Sequence, residues 1–201
     1  MKEILRLITV LVLITAGAGL TLSVVEEQTR APIAEQRRQE TLRALKTVLP
    51  TFDNQPDSDS VILITGQDKK GRDLPRTFYR GRKANDLVGI AFTVVAPDGY
   101  SGNIGIMVGI KPDGSIIGIE ILSHAETPGL GDRITHDVFK EQFAGKALAG
   151  VDWRVKKDGG SFDQITGATI SPRAVVKAVK GGLEFYAAHR EEIVNTAGGG
   201  Q

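Results

Sequence analysis

The chain opens with an apolar segment that is long enough to cross a membrane. Residues 7–25 contain no charged side chain and are rich in Leu, Ile and Val. As an α-helix these 19 residues span about 28 Å, close to the roughly 30 Å of a bilayer's hydrocarbon core. The pattern therefore predicts one N-terminal transmembrane helix.

The charges on either side of this segment predict its orientation. Lys2 and Arg6 precede it, whereas Glu26 and Glu27 follow it. Because basic flanks stay on the cytoplasmic side, we expect the N-terminus in the cytoplasm and the rest of the chain across the membrane. The small residues at 16–19 offer a cleaved signal peptide as the alternative. The apolar run continues past them, however, which favours a retained anchor.

Beyond the anchor the pattern is first helical and then strand-like. Residues 29–32 end in proline and predict a break, and residues 33–49 predict a polar helix. Its apolar positions recur every three or four residues, as in one buried stripe: Leu42, Leu45, Val48 and Leu49. Pro50 is predicted to end this helix, and a loop follows over residues 51–60. Five strands are then predicted, at residues 61–64, 77–79, 88–95, 104–110 and 116–122.

The last two predicted strands form a hairpin, because a strong turn signal separates two alternating apolar rows. These rows are Ile106, Val108 and Ile110 against Ile117, Ile119 and Ile121. Further on we predict a short helix at residues 138–143, a strand at residues 151–155 and a long helix at residues 172–194. The long helix has one apolar face, made by Val175, Val179, Leu183 and Tyr186.

Central strands with helices at both ends predict an α+β fold, an antiparallel sheet flanked by helices and preceded by one N-terminal transmembrane helix. We expect an anchor at residues 1–27 and a helix with irregular or strand structure at residues 28–86. The main domain is expected at residues 87–195, and a glycine-rich flexible tail at residues 196–201.

Composition narrows the possible functions. The chain has 25 basic and 24 acidic residues, seven Phe, three Tyr and one Trp, so neither its charge nor its aromatic content indicates nucleic-acid binding. It has no cysteine, which excludes disulfides and thiolate-bound iron–sulfur clusters. His124, Glu126 and His136 match no spacing typical of a metal motif, so no metal site is predicted. Redox chemistry would therefore need a bound organic cofactor.

The most informative stretch is Asp163-Gln164-Ile165-Thr166-Gly167-Ala168-Thr169, which leads directly into the long helix. Ser171 is the predicted N-cap of that helix, and Pro172 suits its first position. Unpaired N–H groups and the positive end of the helix dipole would stabilise a phosphate beside Thr169. On spacing alone, a turn leading into an ordinary capped helix remains the alternative.

This stretch resembles the flavinylation motif of the FMN-binding subunits of Rnf and Na⁺-translocating NADH:quinone reductase complexes: Asp, two variable residues, Ser or Thr, Gly, Ala, Thr. Other segments resemble the same family in the same order, at residues 99–104, 108–110, 118–119, 122–132 and 142–143. Together they are similar to the G subunit of the Rnf complex from about residue 87 to the end of the last helix. Thr166, where the quinone reductase subunits usually carry Ser, also favours Rnf.

The resemblance implies that FMN is attached through its phosphate to Thr169, and that a separate Mg²⁺-dependent flavin transferase places it there from FAD. Asp163 would present the hydroxyl to that enzyme, or would only bind nearby backbone amides. Thr166 and Ser171 would contact the phosphate, or would only shape the turn and cap the helix. Gly167 and Ala168 would leave little side-chain bulk beside Thr169, so that a large group could approach its hydroxyl.

The loop at residues 124–132 is the second predicted part of the flavin site. Leu130 would cover a face of the ring, and Thr127 would reach its polar edge with the amides of Gly129 and Gly131. Glu126 would influence the flavin's potential. Tyr100 would approach the cofactor or shape a turn. Without the resemblance, the same loop would be interpreted as a solvated surface loop.

The resemblance also implies a function and a location. The chain would be an electron-relay subunit of a complex in the bacterial inner membrane, with its FMN domain in the periplasm. Its partners would be the other membrane subunits of an Rnf-type complex that couples electron transfer between ferredoxin and NAD to Na⁺ or H⁺ transport. The alternatives are the corresponding quinone reductase subunit, a membrane-anchored extracytoplasmic flavin reductase, or a non-redox binding module with Thr169 unmodified.

Overall fold

A computed structural model describes residues 1–67 and 71–195 of the chain. It divides into two compact units, Met1–Thr41 and Leu42–Gln201. The predicted tail at residues 196–201 lies outside the described residues.

The first helix, α1, covers Lys2–Val48 and includes the whole apolar segment at residues 7–25. By length and composition it is able to cross a membrane. The predicted break at residues 29–32 is wrong, because Pro32 lies inside α1. A proline's fixed φ is compatible with a helix, and the carbonyl that it leaves without a donor lies on an exposed turn that water can reach.

Five strands form one antiparallel sheet in sequence order. They are β1 (Ser60–Gln67), β2 (Asp73–Lys83), β3 (Asp86–Ala96), β4 (Ile104–Ile110) and β5 (Ile116–Ser123). All five predicted strands are present, and the first two are longer than predicted. Their additional residues are mostly polar, so the hydrophobic pattern did not include them.

The predicted hairpin of β4 and β5 is confirmed, with one correction in register. Ile106 pairs with Ile121 and Val108 with Ile119, as the alternation predicted. A bulge after Gly109 then places Ile116 opposite Ile110, where Ile117 was expected. The extra residue turns the side chain of Ile116 into the core, where only 1% of it is exposed.

The two faces of the sheet are covered by different helices. Helix α3 (Ile170–Asn195) packs on β3 and β4, and its predicted apolar face is confirmed as buried. The opposite face receives the end of α1, where Leu45 and Val48 form a second apolar cluster with Ala91 and Met107. The predicted stripe at the end of that helix is therefore confirmed for Leu45, Val48 and Leu49, which are buried, whereas Leu42 is half-buried.

The segment between the sheet and α3 is mostly irregular. A short helix, α2 (Asp137–Lys140), continues into a 3₁₀ turn at Glu141–Phe143, close to the predicted helix. The predicted strand at residues 151–155 is wrong, because only Val155 forms an isolated bridge, to Phe162. Trp153 and Val155 are buried in the core, so their alternation reflected burial without strand pairing. The antiparallel sheet with its flanking helices nevertheless confirms the predicted α+β fold.

Candidate functional site

The candidate site begins with a tight turn just before α3. The Ala168 N–H donates to the carbonyl of Ile165 at 3.0 Å, which closes a four-residue turn. Gly167 has a φ of +82° at the third position, a conformation that favours glycine. A Cβ at this position would lie 3.2 Å from the Leu130 side chain, so the turn also contacts the 124–132 loop closely.

Thr169 follows this turn and immediately precedes α3. Its carbonyl accepts a 3.4 Å hydrogen bond from the Arg173 N–H, and its side chain is half-buried. The predicted N-cap role of Ser171 is wrong, because Ser171 lies within α3. Its hydroxyl instead donates to Glu126 Oε2 at 2.6 Å, and its side chain is buried. This long-range contact replaces the local cap that the sequence predicted.

Glu126 connects the three segments that surround Thr169. Only 5% of the residue is exposed. Its Oε1 accepts a hydrogen bond from the Ser101 N–H at 3.2 Å, and its Oε2 accepts the one from Ser171. A Cβ on Gly131 would lie 2.5 Å from Oε2, and one on Gly99 would lie 2.9 Å from Oε1. Glycine at these two positions is what gives the carboxylate its room.

Two ion pairs hold the first turns of α3 against neighbouring segments. Arg173 donates from Nε and Nη2 to the two carboxylate oxygens of Asp158, each at 2.5 Å. Lys177 Nζ lies 2.6 Å from Asp98 Oδ2. The hydrogen bonds from Arg173 lower the pKa of Asp158. The helix start thus contacts two neighbouring segments through exposed ion pairs, in addition to the buried contact between Ser171 and Glu126.

A cavity of about 330 Å³ lies at the junction of these segments. Its walls come from the turn at residue 100, the 124–132 loop and the start of α3. The lining residues are Tyr100, Glu126, Thr127, Leu130, Gly131, Gly167, Ala168, Thr169, Ile170 and Ser171. Pockets for small ligands typically measure about 300–1,000 Å³ and combine apolar walls with a few polar groups. The cavity has both properties.

The structure therefore brings together most of the residues predicted from the sequence. Nine of them line this cavity: Tyr100, Glu126, Thr127, Leu130, Gly131, Gly167, Ala168, Thr169 and Ser171. Ile170 also lines it and was not predicted as a site residue. Its position directly after Thr169 and its exposed apolar side chain, 44% accessible, were the available signals.

Three predicted residues lie elsewhere. Asp163 and Thr166 line a neighbouring cavity of about 270 Å³, together with Arg133, His136 and Val138 among others. The Asp163 carboxylate forms an ion pair with Lys156 at 2.6 Å. Gly129 forms part of the loop, with a φ of +76°, and lines neither cavity. The turn at Gly167 thus lies between the start of the motif, which lines the neighbouring cavity, and its end at Thr169, which lines the first cavity.

The chain is similar to known proteins in both sequence and fold. The FMN-binding domain family matches residues 99–184, which include the whole cavity lining. A crystal structure of the C subunit of Na⁺-translocating NADH-quinone reductase from Parabacteroides distasonis has a similar fold, with a TM-score of 0.51 and 19% identity. That match covers 76% of this chain and 83% of the other. At this identity the likeness concerns the fold alone.

Sequence relatives are more similar. The G subunit of the ion-translocating oxidoreductase complex of Shewanella baltica is 43% identical over 178 residues, covering 84% of this chain and 82% of the relative. The Pseudomonas aeruginosa protein of the same name is 42% identical over 185 residues, covering 89% and 86%. These matches confirm the resemblance to the Rnf-type protein. The chain therefore belongs to the family of G subunits of ion-translocating oxidoreductase complexes and contains an FMN-binding domain.

Proposed function

We propose that this chain is an electron-relay subunit that carries FMN as a phosphoester on Thr169. The observation that supports this most directly is the position of Thr169, which lines a ligand-sized cavity at the start of a 26-residue helix. Among the described residues, its hydroxyl forms no hydrogen bond. A half-buried threonine at a helix start, with its hydroxyl unengaged, is well placed to be esterified.

The cavity residues fit FMN. The N–H groups of Ile170 and Ser171 precede the helical hydrogen-bond ladder and can donate to phosphate oxygens, whereas Pro172 has no N–H and that of Arg173 already donates to the Thr169 carbonyl. Leu130 and Ile170 offer partly exposed apolar surface for a flavin ring, and Tyr100 is 69% exposed at the rim. When bound, FMN accepts one or two electrons and so connects donors and acceptors of either kind. The chain's own residues hold and orient the cofactor.

Attachment is a phosphoryl transfer in this proposal. A bond forms between Thr169 Oγ1 and the FMN phosphorus of FAD, and the bond from that phosphorus to the bridging oxygen breaks. AMP leaves, and the hydroxyl proton passes to a base of the flavin transferase, since an unaided threonine hydroxyl is a weak nucleophile. Asp163 and Thr166 serve recognition by that enzyme, because they are exposed and belong to the same motif as Thr169 but lie outside its cavity.

The proposed partners are the other membrane subunits of an Rnf-type complex. That complex couples electron transfer between ferredoxin and NAD to Na⁺ or H⁺ transport. Helix α1 anchors the chain in the inner membrane and contributes no ionisable group to an ion path between residues 7 and 25. The FMN domain lies in the periplasm, on the side that the flanking charges indicate.

Single cysteines test this orientation, because the natural chain has none. Val138 is 82% exposed in the FMN-binding domain, and Glu3 precedes the apolar segment without contributing to its basic flank. In intact spheroplasts, a membrane-impermeant maleimide is expected to label Val138→Cys and to spare Glu3→Cys, and detergent should make both reactive. Labelling of Glu3→Cys alone would show the opposite orientation.

The mass of the intact protein tests the proposed attachment. Full-length protein made with an active flavin transferase is expected to be yellow and heavier by one esterified FMN. Tryptic cleavage after Lys157 and Arg173 should place the added mass on residues 158–173, and fragmentation should place it on Thr169. Colourless protein of unshifted mass would support the non-redox binding module. Turnover of a substrate by the isolated chain would favour the reductase.

A further inference from the structure

The charge of the cavity does not match free FMN. Of the described residues that line it, none is Lys or Arg, and one, Glu126, is acidic. Hydrogen bonds with Ser101 and Ser171 hold both Glu126 oxygens in place. The cavity therefore places an acidic side chain beside any ligand at Thr169.

Three cations around the start of α3 do not offset the charge of Glu126, because acids already pair with them: Arg173 with Asp158, Lys177 with Asp98, and Lys156 with Asp163. Arg133, which directly follows the 124–132 loop, lines the neighbouring cavity and not this one. What remains is the start of α3, whose dipole is equivalent to about half a positive charge. This partial charge suits one negative charge on a phosphate better than two.

Esterification changes the charge of FMN in the matching direction. Free FMN carries a phosphate monoester, with about −1.5 to −2 charges at pH 7. The same phosphate joined to Thr169 is a diester with a single negative charge. Building on the proposed attachment, we propose that Glu126 is a specificity residue that makes the cavity accept the Thr169-linked diester and exclude free FMN.

The structure fixes Glu126 in this role. Hydrogen bonds from Ser101 and Ser171 hold its two oxygens on opposite sides, and Gly99 and Gly131 pack closely against them. The carboxylate has no room to turn away from an incoming anion. An unmodified chain therefore binds free FMN weakly, and Thr169 remains accessible to the flavin transferase until the covalent bond forms.

Glu126→Gln tests the charge with little change in shape. The amide oxygen can still accept from the Ser101 N–H, and the amide nitrogen can donate to the Ser171 hydroxyl, so both hydrogen bonds are retained. Glu184→Gln is the matched control, because Glu184 is an exposed residue of α3 outside the cavity. It removes the same charge from the chain but not from the site.

The measurement uses full-length protein made without flavin transferase, titrated with FMN and with riboflavin, which lacks the phosphate. Flavin fluorescence reports binding. Wild type and Glu184→Gln are expected to bind riboflavin more tightly than FMN. Glu126→Gln is expected to tighten FMN binding about tenfold, with riboflavin changed less than about twofold, as for one charge pair near a protein surface.

Three results would overturn the inference. These are wild-type protein that binds FMN as tightly as riboflavin, FMN binding that Glu126→Gln leaves unchanged, and Glu126→Gln protein that binds no FMN although it is still flavinylated on Thr169. The intact mass of wild type made with the transferase is measured in parallel. An unshifted mass would overturn the attachment itself, so the two failures are distinguishable.

Discussion

Thr169→Val is expected to abolish flavin attachment completely. Valine keeps the branched shape of threonine but has no hydroxyl, so no phosphoester can form. The Thr169 side chain is half-buried and donates no hydrogen bond among the described residues, so the fold should tolerate the change. Intact mass and in-gel flavin fluorescence of protein made with active flavin transferase measure the result. Thr169→Ser, which restores a hydroxyl, should recover part of the labelling.

Thr166→Val is the matched control in the same motif. Thr166 lines the neighbouring cavity and is separated from Thr169 by the turn at Gly167. Its replacement is expected to slow attachment where the transferase recognises the motif, but to leave Thr169 as the modified residue. Flavin retained by Thr169→Val and lost in Thr166→Val would contradict the assignment.

Strands and helices were predictable where the turn residues and the spacing of apolar positions indicated the same limits. Strands β3, β4 and β5 lie between clear proline, aspartate and glycine turns, and their predicted limits are correct to within two residues. The segment at residues 151–155 misled because a buried loop can alternate like a strand, and sequence does not show the missing partner strand. Pro32 led to the wrong prediction of a break, because the exposed part of α1 continues through this proline.

The candidate site was predictable from a resemblance more than from local physics. The motif and the 124–132 loop are separated by 30 residues, and only the fold brings them around one cavity. Ser171 shows the limit, because its local pattern predicted a helix cap. Its real partner, Glu126, lies 45 residues away. Asp163 shows a second limit, since proximity in sequence to Thr169 did not place it in the same cavity.

The opposite face of the sheet depends on a glycine for its packing. Gly109 in β4 lies under the end of α1, and a Cβ built on it would overlap the backbone of Val48. Its partner across the hairpin, Gly118 in β5, has no atom within 4 Å of the same position. The two glycines face each other in one ladder but differ entirely in their surroundings, so they form a matched pair.

Gly109→Ala is therefore expected to cost about 3 kcal/mol of unfolding free energy, at the upper end of overpacking effects, because a helix backbone cannot rotate away as a side chain can. For a chain of this size the midpoint of thermal unfolding should fall by about 6–12 °C. Gly118→Ala should change the free energy by less than about 0.5 kcal/mol. The single tryptophan, Trp153, is buried and reports unfolding by fluorescence of the full-length protein in detergent.

Equal effects of the two substitutions would show that the end of α1 does not pack on β4. The sheet face that Leu45 and Val48 cover would then be open, and the apolar stripe at the end of α1 would need another partner.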